Sequence, residues 1–279
     1  MIYDDTVCLL GEGPLWHPVR NEFFWFDILG QRLHRKGQAW TFGEFVSAAG
    51  WVDDDTLIVA SETALLRFAI STGEREVITP LEADNLDTRS NDGRADPQGG
   101  FWIGTMGKKA EKDAGSIWRY YKGELRRLYH PITIPNAICF APDGKTAYFA
   151  DTPTQQIMRV ALDDEGWPAG EPDVHIDMRE AGHHPDGAVV DAAGNLWNAQ
   201  WGSYRVAGYD LDGQEMGAFA FPAAQTSCPA FGGPDLTTLF CTSASVGLPQ
   251  NDIADNPKSG QTFAVETRHK GQPEHRVIL

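Results

Sequence analysis

Four residues of this 279-residue chain, Glu12, Asn91, Asn136 and Asp186, carry carboxylate or amide oxygens and stand at one recurring position. Each lies six positions before the second residue of a turn, counted from Pro18, Pro97, Pro142 and Ala192. The same count from Asp53 and Pro234 gives Ser47 and Cys228. Two carboxylates and two neutral oxygens brought to one point would resist ionising unless a cation sat among them. Oxygen donors suit calcium, magnesium or manganese, and zinc also accepts carboxylates while leaving open positions for water. Any one of the four could instead cap the turn before a strand. Four in one register favour the cation site.

A shared position needs a repeating frame, and the chain has one. A turn followed by a strand dense in aromatic and β-branched residues begins at His17 (HPVRNEFFWFDI), Val52 (VDDDTLIVAS), Ala95 (ADPQGGFWIGTM), Ala141 (APDGKTAYFADT), Asp191 (DAAGNLWNAQWG) and Gly233 (GPDLTTLFCTSA). The starts are 35, 43, 46, 50 and 42 residues apart, the spacing of propeller blades of about four strands. A further short strand follows each copy (QRLHRKG, ALLRFAI, GSIWRYY, QQIMRVAL, YRVAGYDL, QTFAVET), with turn residues after most of them. No apolar pattern keeps a helical period over a dozen capped positions; Lys108–Ala114 is the longest helix-like stretch. A β-sandwich would show turns without this longer period. The expected fold is therefore an all-β, six-bladed β-propeller with four-stranded blades around a central channel, spanning 1–279 as one domain. Residues Tyr3–Leu9 are expected to add a strand to the last blade and close the ring. The first strand of each blade would line the channel, so the six counted positions would form a ring.

Composition agrees and excludes other classes. Hydrophobic residues make up 42% and charged residues 22%, as in globular proteins with a real core. A net charge of −16 argues against nucleic acid, whose phosphates need Lys and Arg. No apolar run reaches the ~20 residues of a membrane span, and no leader pattern opens the chain. Cys8, Cys139, Cys228 and Cys241 have neither metal nor disulfide spacing. The expectation is a cytoplasmic protein with reduced thiols, no membrane and no obligate protein partner; a secreted protein lacking its leader is the alternative.

Five segments, GEGPLWHP at Gly11–Pro18, RSNDGRADPQGGFWIGTM at Arg89–Met106, IPNAICFAPDGKTAYFADT at Ile134–Thr152, HPDGAVVDAAGNLW at His184–Trp197 and FGGPDLTTLFCTSA at Phe231–Ala244, resemble, in order, the motifs of the regucalcin/gluconolactonase family of six-bladed propellers. The resemblance runs from about Leu10 to the C-terminus. It implies a divalent metal (Ca, Zn, Mg, Mn or Fe(II)) on Glu12, Asn136 and Asp186, and substrate contacts from Arg89 and Asn91. It implies a further contact from a Glu after the GTM motif, for which Glu111 is the match. The family's Arg-Pro-Asn-Asp has Ser90 in place of Pro here, which relaxes one φ and leaves Arg89 and Asn91 in place.

The implied activity is metal-dependent hydrolysis of a sugar lactone to the aldonic acid, the metal polarising the carbonyl and Asp186 acting as base. An organophosphate or aryl-ester hydrolase on the same site, or a calcium-binding regulatory propeller, are the alternatives. Specificity would come from loops such as Met106–Gly115 and Leu248–Gly260. Trp16, Trp102, Trp197 and Trp201 are expected between blades, with Trp201 and Tyr204 available to wall a sugar pocket. One of His183 and His184 could reach the pocket mouth, but neighbours on an extended chain point opposite ways.

Overall fold

A computed structural model describes residues 1–248 and 257–279, so most of the Leu248–Gly260 loop lies outside the described residues. Strand β1 (Ile2–Asp4) precedes the first blade, formed by β2 (Gly11–His17), β3 (Glu22–Asp27), β4 (Arg32–Arg35) and β5 (Gln38–Thr41). The second blade holds β6 (Val46–Trp51), β7 (Thr56–Ser61), β8 (Ala64–Ala69) and β9 (Arg75–Pro80). The third holds β10 (Thr88–Ala95), β11 (Phe101–Gly107), β12 (Gly115–Tyr121) and β13 (Glu124–Ile132). β14 (Pro135–Phe140), β15 (Thr146–Asp151), β16 (Gln156–Ala161) and β17 (Asp173–Asp177) form the fourth blade. The fifth is β18 (His184–Val190), β19 (Leu196–Trp201), β20 (Arg205–Tyr209) and β21 (Glu215–Ala220). The sixth is β22 (Thr226–Gly232), β23 (Thr238–Ser243) and β24 (Thr262–Glu266), with β1 as its outer strand. Every sheet is four-stranded and antiparallel, the first five as meanders and the sixth completed by the N-terminal β1, and together they make the six-bladed propeller.

Ring closure by β1 is shorter than the Tyr3–Leu9 segment expected, because Leu9 and Leu10 instead donate their N–H groups to Asp27. The Lys108–Ala114 stretch is a loop with turns.

The period-2 strands sort by depth. The first strands of all blades, β2, β6, β10, β14, β18 and β22, are buried almost throughout, while the outer β9 and β21 are largely exposed. Aromatic and branched residues of the second strands then fill the space between adjacent blades: Phe24 and Phe26 with Val59 and Leu66, and Phe101 and Ile103 with Ala48 and Ile58. Trp16, Trp102 and Trp197 belong to these seams. All four cysteines are buried and unpaired.

The last residues do something the repeat pattern did not foreshadow. After β24 the chain crosses the end of the channel remote from the ring residues. The N–H of Ala192 donates to the Lys270 carbonyl and Gly271 N–H to that of Leu236. Gln272 donates to the carbonyls of Phe140 and Val190. Val277 N–H meets Trp51, and Ile278 N–H meets Gly99. Five blades are thereby tied to one strap, and Val277 is fully buried between blades 2 and 3.

Candidate active site

Six inner strands reach the channel, and in every one the ladder to the second strand is broken by a bulge or irregularity. A bulge turns a side chain away from the regular alternation, and here the breaks fall beside the counted ring positions. Blades 1 and 4 use the same device. Gly13 and Ala137, directly after Glu12 and Asn136, have φ of 52° and 56°. At Gly13 a side chain would also collide with the Ser47 carbonyl, so glycine is required there. The lead-in to each of these two strands is held by an aspartate at the end of the neighbouring strand. Asp27 accepts from Leu9 and Leu10 N–H at 3.1 and 3.0 Å, and Asp151 from Thr133 and Ile134 N–H at 3.1 and 2.8 Å.

Glu12, Arg89, Asn91, Asn136 and Asp186 meet at the floor of a cavity of about 300 Å³, together with Thr152. The walls combine apolar side chains, from Leu10, Leu29, Met106, Ile134, Trp201 and Val246, with the loop residues Lys108, Lys109 and Ala110. A hydrogen-bond relay orders the polar floor. Arg89 Nη1 donates to Asn91 Oδ1 (2.9 Å) and to the Ser90 carbonyl (2.8 Å). Asn91 Nδ2 donates to Asn136 Oδ1 (3.1 Å) and to the Pro135 carbonyl (2.9 Å). Asn136 Nδ2 donates to Thr152 Oγ1 (2.8 Å), whose hydroxyl donates to the Pro185 carbonyl at 2.7 Å, next to Asp186. Each amide is thus fixed in orientation by partners on both sides.

The electrostatics of the floor are lopsided. Burial lifts the Glu12 carboxyl to about 8, helped by the charge of Asp92, against a hydrogen bond from Gly13 N–H. Asp186 is pushed well above the carboxylate range by burial, then by Glu12 and Asp92. Burial also raises Asp92 to about 6, although Ile138 N–H donates to it at 2.8 Å. Arg89 is lowered to about 10 by burial, with Glu12 and Asp186 opposing. Among the described residues the Nε and Nη2 groups of Arg89 find no protein acceptor, which leaves them for a ligand.

Two ring positions stay out of the cavity. Ser47 Oγ donates to Ser90 Oγ at 2.8 Å, so Ser90, where the family pattern has Pro, ties the inner strands of blades 2 and 3 together. Cys228 packs against Gly187, where any side chain would strike its sulfur, and is a buried thiol raised far above its usual range by burial. The ladders explain both departures. Cys228 and Ser47 each lie one residue before the first pair after the break, Pro229↔Cys241 and Ala48↔Ala60, whereas Glu12 lies three before Leu15↔Phe24. Counting from the turn ignored these shifts. Glu111 also lies outside the floor: it is exposed, and its carboxylate accepts the N–H of Lys109 at 3.0 Å within its own loop. Trp201 lines the cavity, while Tyr204, His183 and His184 do not, and His183 meets Ser203 Oγ at 3.0 Å.

Sequence reasoning missed Thr152 and Asp92. Thr152 had a signal: it follows an aspartate that ends a second strand in FADT, as Ile28 follows Asp27 in FWFDI.

Comparison with known proteins decides the lineage of this site. Residues 10–245 match the family model described as SMP-30/Gluconolactonase/LRE-like region. The chain belongs to this family. It is 40% identical to a provisionally named sugar lactone lactonase of Rhizobium meliloti strain 1021, covering 96% of this chain and 94% of the relative. It is 36% identical to the L-arabinolactonase of Azospirillum brasilense over 98% and 93% of the two chains. A solved structure described as a calcium-binding protein, regucalcin, from Agrobacterium tumefaciens strain C58 superposes with a TM-score of 0.97 at 41% identity, over 100% and 97% of the chains.

Proposed function

We propose that this member of the family hydrolyses a sugar lactone to its aldonic acid, with a divalent cation held by Glu12, Asn136 and Asp186. The observation that carries the reading is the charge count along the channel axis. Glu12, Asp92 and Asp186 are buried there and the Glu274 side chain is largely covered, against Arg89 and Arg94, so among the described residues two of the four acids have no buried cationic partner. Buried unpaired charge is costly, and one divalent cation would cancel it. Among the described residues no three His, Cys, Asp or Glu side chains converge. The donor set is therefore two carboxylates plus amide oxygen, which suits a hard ion such as calcium, magnesium or manganese.

When bound, such an ion supplies Lewis-acid polarisation of a lactone carbonyl. Asp186, ionised in that setting, takes a proton from the attacking water. The free guanidinium edge of Arg89 and the Asn91 amide hold ring or hydroxyl oxygens of the substrate. Thr152 keeps the Asn136 amide turned the same way through turnover. The apolar side chains of the walls lower the polarity around the floor. Lactonase names among the relatives support the choice of lactone over phosphate or aryl esters. Four unpaired thiols support a reducing compartment, the cytoplasm.

The test is acid release from glucono-, galactono-, xylono- and arabinonolactones, with and without chelator. Hydrolysis of at least one lactone that stops on chelation and returns with added cation is expected. A chelated enzyme of unchanged rate would remove the cation from the reaction, and inertness towards every lactone would remove the activity.

A further inference from the structure

Among the described residues, Arg94 is the buried channel cation that the proposed reaction does not use. It sits on β10, five residues after Arg89, yet it reaches across the axis to the carbonyls of Ala188 in blade 5 and Pro229 in blade 6, at 3.3 and 3.4 Å. Among the described residues its Nε has no partner, and its Nη1 pairs with Glu274, a residue of the strap that closes the far end. Glu274 is the first of the charges acting on this guanidinium, ahead of Asp92. The backbone carbonyl of Glu274 is held in turn by Trp51 Nε1 at 2.8 Å. From cavity to strap the axis therefore reads acids and Arg89, then Asp92, then Arg94, then Glu274.

We propose that Glu274 is a remote positioning residue of the cation site: its charge, brought in by the C-terminal strap, neutralises Arg94 and so leaves the channel with two uncompensated negative charges. This rests on the cation reading above. Without Glu274, Arg94 would stand uncompensated behind Asp92 and the ring, and the channel would offer one net negative charge to a divalent ion. Without Arg94 it would offer three. In a buried site of low dielectric such charges act over long distances. The two partners must therefore shift cation affinity in opposite directions, which no purely structural role would do, since loss of either half of a packed pair loosens the fold.

The experiment is calorimetric titration of the full chain with calcium chloride at pH 8. Glu274→Gln should weaken calcium binding about tenfold or more, and Arg94→Gln should tighten it. The double variant should return near the wild-type value. Melting curves of each protein without calcium show which variants are folded. If Glu274→Gln does not fold, tighter binding by Arg94→Gln, with the double variant restored, still carries the test. Wild-type binding with both single variants unchanged, or both weakened, overturns the inference while leaving the cation site standing. A wild-type protein that takes up no calcium overturns the cation reading, and this inference with it.

Discussion

The two ends of the channel solve the problem of buried charge in different ways. At the strap end Arg94 faces Glu274 and the pair is closed off by the tail, with Gln272 satisfying the carbonyls of Phe140 and Val190 nearby. At the cavity end Glu12 and Asp186 lie beside each other's charge with Arg89 as the buried cation next to them among the described residues, and both are driven towards the neutral acid. An end whose opposite charges are paired contributes to holding the ring together. An end left short of positive charge is poised for a ligand, and strongly perturbed acids in a cleft are where function concentrates.

Asp186→Ala strikes the unsatisfied end directly and has the largest expected effect. It removes the proposed base and one of two anionic donors together, so lactone turnover should fall by about 10³-fold or more, with bound cation lost in elemental analysis. Full cation retention would remove Asp186 from the donor set and make the two ends less different than their electrostatics imply.

Stability against pH sharpens the same contrast. The Glu12 carboxyl, raised to about 8, is neutral in the folded cation-free protein at pH 5, and burial pushes Asp186 upward in the same direction. In the unfolded chain they ionise near 4. Acids whose folded values are raised contribute stability at low pH that is lost as pH climbs towards 8. Chelated protein should therefore melt at lower temperature at pH 8 than at pH 5, by about 2–4 kcal/mol of stability. Saturating calcium should abolish that loss, because it favours the ionised forms. A melting temperature that rises with pH in chelator would mean the carboxylates find cationic partners within the chain.

How much of this was readable beforehand differs between the two ends in the same manner. Blade number and order followed from turns and aromatic strands, because a period-2 strand and its turn leave their marks in adjacent residues. Glu12, Asn91, Asn136 and Asp186 meet on the floor because each inner strand carries its ring residue at nearly the same depth. Ser47 and Cys228 shared the count and not the cavity, since a one- or two-residue shift in a bulge is invisible to spacing. The strap was unreadable for a different reason. Gln272, Glu274 and Val277 sit in a stretch without repeat or period, and their partners lie between 82 and 226 positions away in sequence.

Thr152→Val tests the relay that orders the floor at a smaller scale. The variant keeps the shape and removes the acceptor for Asn136 Nδ2 and the donor to Pro185. A part-buried hydrogen bond of this kind contributes about 1 kcal/mol, so kcat/KM should drop about five- to tenfold while the protein stays folded and its melting temperature in chelator falls by about 2–4 °C. An unchanged kcat/KM would show that Asn136 is oriented by Asn91 alone.

The smallest expected effect belongs to Glu111, where the family resemblance and the geometry pull apart. The resemblance assigns it a substrate contact, yet its carboxylate is turned onto the backbone of its own loop and held below the usual range by N–H groups of Glu111 and Lys109. The neighbours it steadies, Lys108 to Ala110, do line the cavity. Glu111→Ala should accordingly change kcat/KM by about twofold or less, as an exposed hydrogen bond contributes little. A fall of tenfold or more, in KM and not in melting temperature, would show that the loop swings Glu111 onto the substrate, and would extend the charged end of the channel beyond the ring to its rim.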